Sequence, residues 1–434
     1  MPTCFGSGVA SSARMSRGVA IAIAAMVVSL QGCAPLPRRD PVPESMTEQA
    51  IIADIPHARL WLDRDIKGYT EMIVRRMARE RAAAVRDGLR PDALPPIQFL
   101  SISGGGDNGA FAAGVLTGWT ASGTRPEFTA VTGISAGALI APFAYLGPKY
   151  DDVVRRVVTL LHPGDVFHER DPLSGLLSDG FASSEPLRRL VEKYVTPELL
   201  KEIAREDAKG RALEIGTTDL DAGRQVVWDM GAIAASGAAG ALELFRNVMI
   251  ASTSIPGAVS PVMIDVQVDG RPYQEMHVDG GVITQLFTYP ARALPDLEKA
   301  TGMRFSRDIH VYLIRNGRLE PEWTPTPRRT LSIGERAIGA LVQAEGIGDV
   351  HRVYRTALQD GVDFNLAYIG SDFRAASHPM FESAYMRALY DYGYHLAAGG
   401  SVWHKSPPDE PVQSEYTLRG RRDGSRVDIT DGLR

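Results

Sequence analysis

Ser135 is the residue of this sequence with the clearest capacity for nucleophilic chemistry. It lies in the stretch FTAVTGISAGAL, Phe128 to Leu139, at the centre of the pattern Gly133-x-Ser135-x-Gly137. Glycines on both sides of a serine allow a sharp turn from a strand into a helix, whose positive end is directed towards the hydroxyl. An alcohol needs a base to accept its proton, and no histidine lies near Ser135 in the sequence.

A glycine run precedes the serine and supplies candidate hydrogen-bond donors. Ile97 to Ser103 has strand character, Gly104-Gly105-Gly106 follows, and Ala110 to Thr120 has helix character. Glycine leaves backbone N–H groups free to point at one spot, where they can stabilise charge developing on a carbonyl oxygen. Loops that leave adjacent parallel strands converge on one crevice. We therefore expect this loop to face Ser135 as an oxyanion hole.

The same glycines also permit a different interpretation. Gly104, Gly106 and Gly109 fit G-x-G-x-x-G between a strand and a helix, the pattern of a dinucleotide site. That site requires an acidic residue at the end of the next strand, about 20 residues further on, to bind a ribose. The next predicted strand ends instead at Ser135. The sequence thus disfavours a nucleotide, and we expect no cofactor.

Asp279 is the candidate base. Tyr273 to Val278 alternates as a strand does and ends at Asp279-Gly280-Gly281. A carboxylate at a strand end, followed by glycines that turn the chain away, can be held against a neighbouring strand-end loop. Aspartate is a poor base for an alcohol in water, but in a dry crevice, aligned with a serine, it can act as one.

Two histidine-based alternatives stay open at this point. A triad in hydrolase order would combine Ser135, Asp265 or Asp279, and one of two histidines, which are His310 and His351. Neither of these histidines lies in a glycine-bounded strand-end loop. His277 shares a strand face with Asp279 and suggests a metal pair, but a metal needs more ligands than two. We expect no metal.

The ordered motifs resemble those of the patatin-like phospholipases. The resemblance covers about Ile97 to Phe287 and includes Ile215 to Trp228 as the family's central hairpin and Ala251 to Pro256 as its Ala-Ser-x-x-x-Pro turn. It implies a three-layer α/β sandwich with a mostly parallel central sheet and helices on both faces. It also implies a Ser135–Asp279 dyad without histidine. The glycines that support these motifs are Gly104, Gly105, Gly106, Gly109, Gly133, Gly137, Gly280 and Gly281.

Two positions depart from the family's pattern. Asn108 stands where the glycine loop usually carries arginine or lysine, and Gln285 stands where an asparagine usually follows the Asp-Gly-Gly motif. These departures favour one rival to an active hydrolase, a catalytically degenerate lipoprotein that binds lipid or a partner. The intact Ser135 and Asp279 oppose it. The sequence therefore predicts a serine acyl hydrolase of the phospholipase A or lysophospholipase type, with membrane lipids as its partners.

The N-terminus indicates export and lipid attachment. An apolar run, Gly18 to Leu30, follows a basic start and ends at Leu30-Gln-Gly-Cys33, which resembles the lipobox of bacterial lipoproteins. The resemblance implies that Cys33 is acylated and becomes the mature N-terminus. By the bacterial sorting rule, Ala34 after the cysteine favours the outer membrane. We expect a cell-envelope lipoprotein that faces the periplasm from that membrane.

Composition and patterning complete the prediction. The chain has 434 residues, 44% hydrophobic and 23% charged, with a net charge of −5, which gives no reason to expect nucleic acid as a partner. The predicted parts are a signal at 1–32, a tether and amphipathic helix with a solvated basic face at 33–96, the catalytic core at 97–290, α/β elements that complete the same unit at 291–406, and a polar tail at 407–434. Within 291–406 we expect strands at 308–316 and 362–369, a long helix or helical pair between them, and a terminal helix with an aromatic stripe.

Overall fold

The computed structural model describes residues 36–410 except 53, 91–93, 160–162, 167, 170–177, 291–292, 303–306, 322 and 376–377. The predicted signal, Cys33 and residues 411–434 lie outside the described residues. The strands are β1 (Arg59–Leu60), β2 (Ile97–Ile102), β3 (Ala130–Gly133), β4 (His168–Glu169), β5 (Gly180–Ser183), β6 (Ala212–Asp219), β7 (Arg224–Asp229), β8 (Gly257–Val259), β9 (Val262–Val268), β10 (Arg271–Asp279), β11 (Ile309–Arg315) and β12 (Asp363–Tyr368). The α-helices are α1 (Ile66–Arg86), α2 (Gly109–Ala121), α3 (Ala136–Leu146), α4 (Asp151–Thr159), α5 (Pro163–Val166), α6 (Glu185–Tyr194), α7 (Pro197–Asp207), α8 (Met230–Ala235), α9 (Ala241–Ser252), α10 (Ala293–Thr301), α11 (Thr330–Asp360) and α12 (Ser383–Ala398).

The main sheet has a parallel centre and antiparallel additions at one side. Its order is β1-β7-β6-β3-β2-β11-β12. The strands from β6 to β12 in this order are parallel, whereas β7 is antiparallel to β6 and β1 to β7. β10 pairs antiparallel with the end of β6, and β9 pairs with β10. β4, β5 and β8 form a separate small sheet.

Alternating side chains on the central strands pack into two hydrophobic cores, one on each face of the sheet. On β11, Val311 and Leu313 pack in a core with Tyr354 of α11. Ile314 of the same strand packs in the other core, together with Leu116 of α2. Successive strand residues point to opposite faces of a sheet, so helices cover both faces here. The predicted α/β architecture, with a mostly parallel central sheet and helices on both sides, is confirmed.

The N-terminal segment lies against the domain. β1 adds an edge strand beside β7, and Ile51 forms an antiparallel bridge with Gln267 of β9. Further towards the N-terminus, Arg38 forms an ion pair with Asp221 at 2.6 Å. The described part of the predicted tether is thus in contact with the sheet from Arg38 onward.

Helix α1 carries both exposed and buried arginines. Its bounds, Ile66–Arg86, agree with the helix predicted over Asp65 to Arg86. The prediction of a solvated basic face is wrong for Arg76, which is buried and pairs with Glu214 at 2.7 Å and Asp229 at 2.8 Å. Two buried carboxylates on β6 and β7 require a cation there. None of the described helices, α1 included, has the length and apolarity needed to cross a bilayer.

The segments after residue 290 join the same sheet. The strands predicted over 308–316 and 362–369 are β11 and β12, and α11 connects them as one continuous helix. The predicted terminal helix is α12, which packs closely on α2. A Cβ at Gly114 of α2 would overlap the carbonyl oxygen of Tyr390 of α12. These segments therefore complete the layers on both sides of β2, from which the glycine loop emerges.

Candidate active site

Ser135 stands at a sharp turn between β3 and α3. β3 ends at Gly133 and α3 begins at Ala136, and Ser135 between them has φ 53° and ψ −122°. Non-glycine residues seldom adopt a positive φ, and they keep it only where the surroundings enforce it. Here α3 packs directly on the end of β2, because a Cβ at Gly137 would overlap the carbonyl oxygen of Ile102. This packing holds the turn and places the amino end of α3 next to the serine.

The glycine loop passes beside Ser135. β2 and β3 are adjacent and parallel, and a Cβ at Gly104 would lie 3.1 Å from the Cβ of Ser135. Gly105 has φ 153°, and a Cβ there would overlap the backbone of Asn316, so the position accepts only glycine. Among the described residues, no acceptor takes a hydrogen bond from the amides of Gly104, Gly105 or Gly106. These N–H groups remain available to a ligand.

Asp279 approaches Ser135 from the opposite direction. β3 and β10 lie one after the other along the same side of β6, where Gly133 pairs with Ile215 and Asp279 pairs with Thr217. Because β3 is parallel and β10 antiparallel to β6, their carboxyl ends point towards each other. Only one residue of β6 lies between the two pairings. The structure thus brings the serine turn and the aspartate turn together.

Burial changes the acidity of the Asp279 carboxyl. The residue is 5% exposed, and its Oδ1 accepts a hydrogen bond from the Gly281 amide at 2.7 Å. Burial raises the pKa of Asp279 from 3.8 to about 6, while hydrogen bonds from Ser135 and Gly281 oppose this rise. A carboxylate with this pKa is still ionised at neutral pH and is a stronger base than an ordinary aspartate.

Two serines that the sequence did not single out as site residues support the site. The hydroxyl of Ser252 accepts a hydrogen bond from the Ser135 amide at 3.0 Å and donates to the carbonyl of Gly216 at 2.7 Å. The carbonyl of Ser254 accepts from the Asp279 amide at 2.9 Å. Both serines belong to the Ala-Ser-x-x-x-Pro segment, so that motif was the available signal. The segment ties the two turns to each other.

The remaining motif glycines lie where backbone segments approach closely. Each permits a contact that a side chain would obstruct. A Cβ added at Gly109 would lie 3.0 Å from the Cβ of Ala136, and one added at Gly133 would lie 2.5 Å from the carbonyl oxygen of Gly137. A Cβ added at Gly280 would lie 2.5 Å from the carbonyl oxygen of Gly216, and one added at Gly281 would overlap the side chain of Gln285.

The two positions that depart from the family pattern have defined partners. The Asn108 side-chain oxygen accepts a hydrogen bond from the Tyr385 hydroxyl at 2.6 Å, so this amide connects the glycine loop to α12. Gln285 Nε2 donates to the carbonyl of Gly281 at 2.8 Å. The glutamine therefore contacts the turn that follows Asp279.

The residues considered for a histidine triad lie apart from one another. His310 is at the amino end of β11, bonded to Asp363 at 2.8 Å, whereas the glycine loop follows the carboxyl end of the parallel neighbour β2. His351 of α11 pairs with carboxylates at positions 409 and 410, at 3.4 and 3.5 Å. Asp265 pairs with Arg39 at 2.9 Å. The described contacts thus give Ser135 a carboxylate partner, Asp279.

His277 belongs to a buried group of charged side chains. Potential ligand atoms of Asp219, Glu275 and His277 lie within 4.8 Å of one another. Each already has protein partners, since the His277 ring bonds a threonine hydroxyl at 2.9 Å and Glu275 at 3.1 Å, and Asp219 accepts two backbone amides. Burial raises the pKa of Glu275, but its ion pair with Arg59 outweighs this and lowers it to about 2. Arg59 therefore supplies the positive charge that a metal would bring.

Comparison with known proteins shows which family part of the chain resembles. The crystal structure of VipD from Legionella pneumophila aligns over 71% of this chain and 67% of that chain, with 11% sequence identity and a TM-score of 0.34. No curated protein matches the chain. Residues 100–292 match the family model described as patatin-like phospholipase. This segment contains the Ser135 turn, the glycine loop and Asp279. The similarity to the patatin-like phospholipase family therefore covers residues 100–292 of the chain.

Proposed function

We propose that the protein is a serine acyl hydrolase that cleaves acyl esters of membrane lipids, as a phospholipase A or lysophospholipase does. Its patatin-like phospholipase domain is of a kind typical of lipid acyl hydrolases. One observation supports the assignment of this chemistry to particular residues. β3 and β10 end head-on beside β6, which sets Ser135 against Asp279 and next to Gly104.

The acylation step uses Asp279 as the base. Its carboxylate accepts the Ser135 proton while Oγ attacks the ester carbonyl carbon, and the carbonyl oxygen becomes an oxyanion. The amides of Gly104, Gly105 and Gly106 stabilise this charge, as preorganised donors do in other acyl transfers. When the bond to the alcohol breaks, Asp279 returns the proton to the leaving alkoxide, and the acyl group stays on Ser135.

The deacylation step repeats the same roles with water. Asp279 accepts a proton from a water molecule that attacks the acyl-serine carbonyl carbon. The second oxyanion occupies the same donors. Its collapse expels the Ser135 alkoxide, which takes the proton back from Asp279, and the fatty acid leaves. The two side chains return to their starting states without a cofactor.

Apolar side chains around the site support a lipid substrate. Val282 lies in the turn directly after Asp279, and Ile255 lies in the segment that accepts the Asp279 amide. Met380 precedes the residue whose amide binds the glycine loop. All three are exposed. Exposed apolar groups grouped at a site favour an apolar ligand, here the acyl chains of an ester.

Fluorophosphonate labelling tests the nucleophile. The full-length chain, purified in detergent, should be labelled covalently, as should Ser122→Ala, which removes a serine outside the site. Ser135→Ala should not be labelled. A panel of phospholipids, lysophospholipids and neutral glycerides then defines the substrate. The folded wild-type chain could instead bind lipid vesicles without reacting with the probe or hydrolysing any ester. That result would contradict the proposal and favour the alternative, a catalytically degenerate lipid-binding protein.

A further inference from the structure

Arg315 is a buried cation next to the glycine loop. It ends β11, whose preceding residue Ile314 pairs with Ile102 of β2, directly before the loop. Arg315 is 4% exposed. Its Nη1 donates to Gln285 Oε1 at 3.3 Å, and its Nε has no hydrogen-bond partner among the described residues. An arginine in this environment is expensive to bury, so its presence calls for a function.

Two glycines enclose the guanidinium. A Cβ at Gly346 of α11 would lie 2.5 Å from Arg315 Cζ, and a Cβ at Gly317 would lie 3.3 Å from it. Burial lowers the pKa of Arg315 to about 10, and the nearby Asp349 opposes this effect. The side chain is therefore charged at neutral pH, and its position is sterically determined.

Gln285 connects Arg315 to both halves of the site. Its Nε2 donates to the Gly281 carbonyl in the turn after Asp279. Its Oε1 lies 2.9 Å from the position that a Cβ would take at Gly104. A carboxamide has nearly the same shape in its two flipped orientations. Arg315 only donates, so it selects the orientation in which the oxygen faces Gly104 and the nitrogen faces Gly281.

We propose that Arg315 is a positioning residue of the hydrolase site, which fixes the Gln285 amide and thereby the spacing between the glycine loop and the Asp279 turn. The inference rests on the proposed function. It assigns a role in the site to a residue outside the segment that matches the family, 100–292. It also places positive charge behind a loop that has Asn108 where the family usually carries a cation.

A double-mutant cycle tests whether Arg315 acts through Gln285. Arg315→Met, Gln285→Met and the double variant are compared in full-length protein with a soluble p-nitrophenyl ester. Each single change should lower kcat about 10- to 100-fold, because small misplacements of reacting groups have effects of this order. KM should stay nearly unchanged. The double variant should be no slower than the slower single variant, since coupled residues are not additive.

A pair of helix substitutions provides the matched control. Gly346→Ala would displace the guanidinium, whereas a Cβ at Gly348 of the same helix meets nothing within 4 Å. Alanine favours a helix over glycine, so both variants should fold. Gly346→Ala should lose kcat and Gly348→Ala should keep it. If Arg315→Met fails to fold, this pair decides.

The outcomes separate the two proposals. An active wild type with unchanged kcat in Arg315→Met or Gly346→Ala would overturn the positioning role alone. Additive losses in the cycle would overturn it as well. If the folded wild-type chain hydrolyses no ester, both the proposed function and this inference are wrong.

Discussion

Asp279 carries a carboxyl group whose pKa burial raises from 3.8 to about 6. The folded state thus binds its proton more tightly than the unfolded chain does. The resulting stability is fully present below the unfolded pKa and is lost as the pH rises through about 6. At neutral pH the ionised Asp279 carboxylate therefore destabilises the fold, and this is the form that the proposed mechanism uses as the base. Since an unperturbed histidine titrates near ~6.5, the pH of the acid limb alone would not distinguish the two kinds of base.

Asp279→Asn should consequently stabilise the protein while abolishing hydrolysis. The amide oxygen can still accept from Gly281, and no charge is buried. The difference between 3.8 and about 6 corresponds to roughly 3 kcal/mol at pH 8, and the advantage should shrink towards zero at pH 4. Urea unfolding at the two pH values measures this.

Asp363→Asn is the control with the opposite sign. Burial raises the pKa of Asp363, but hydrogen bonds from His310 and Lys405 outweigh this and hold it well below its ordinary value. The charged form is therefore the stabilising one, and its removal should destabilise the fold at pH 8. An Asp279→Asn variant less stable than wild type at pH 8 would contradict the assigned environment.

At the scale of elements, the end of β11 clamps the start of the glycine loop. The side chain of Asn316 donates to the Ser103 carbonyl at 2.9 Å, and its backbone amide donates to the Ser103 hydroxyl at 2.8 Å. The same side chain accepts from the Ala112 amide in α2 at 3.0 Å. Gly105 lies against the Asn316 backbone. These contacts hold the loop against Asn316, as preorganised donors require.

Gly105→Ala should disable the proposed oxyanion hole. The new Cβ would displace either the loop or Asn316, and loss of one oxyanion donor lowers kcat about 10²–10³-fold. Gly123→Ala is the matched control, because Gly123 also has a positive φ, 74°, but has open space around its Cβ position. Steady-state hydrolysis compares the two. Equal turnover in both variants would place the oxyanion donors elsewhere.

Local patterns predicted the elements and a glycine loop that faces Ser135, but not the head-on approach of β10 to β3. The strand before Gly104, the Ser135 turn and the strand before Asp279 have apolar periodicity punctuated by glycine, which are signals within a few residues. That β10 approaches β3 head-on depends on pairing along β6, a strand distant in sequence from both. The roles of Ser252 and Arg315 depend equally on tertiary contacts. No local rule assigns a partner to a single serine or arginine.

At the scale of the whole molecule, the N-terminal segment ends near the site. Arg38 pairs with Asp221 in the turn that follows β6, and Asp279 pairs with Thr217 close to that same end of the strand. Arg38 follows Cys33 by five positions, a distance of at most roughly 18 Å in a fully extended chain. Acyl chains on Cys33 would therefore hold this end of the sheet close to a bilayer, where an enzyme that acts on membrane lipids needs its site.

Cys33→Ser should separate membrane attachment from chemistry. Radiolabelled palmitate should enter the wild type in cells and not the variant, because serine lacks the thiol that is acylated. The acyl chains anchor the protein because each buried CH₂ contributes ~0.8 kcal/mol, and several chains are needed for firm anchoring. Fractionation should find the wild type in the outer membrane and the variant free of it. Hydrolysis of a soluble p-nitrophenyl ester should be equal in both, whereas hydrolysis of phospholipid in vesicles should fall in the variant, because only its encounter with the bilayer has changed.

Equal palmitate labelling of the two would remove the lipoprotein proposal. Loss of soluble-ester hydrolysis in the variant would show instead that the N-terminal segment contributes to the site itself.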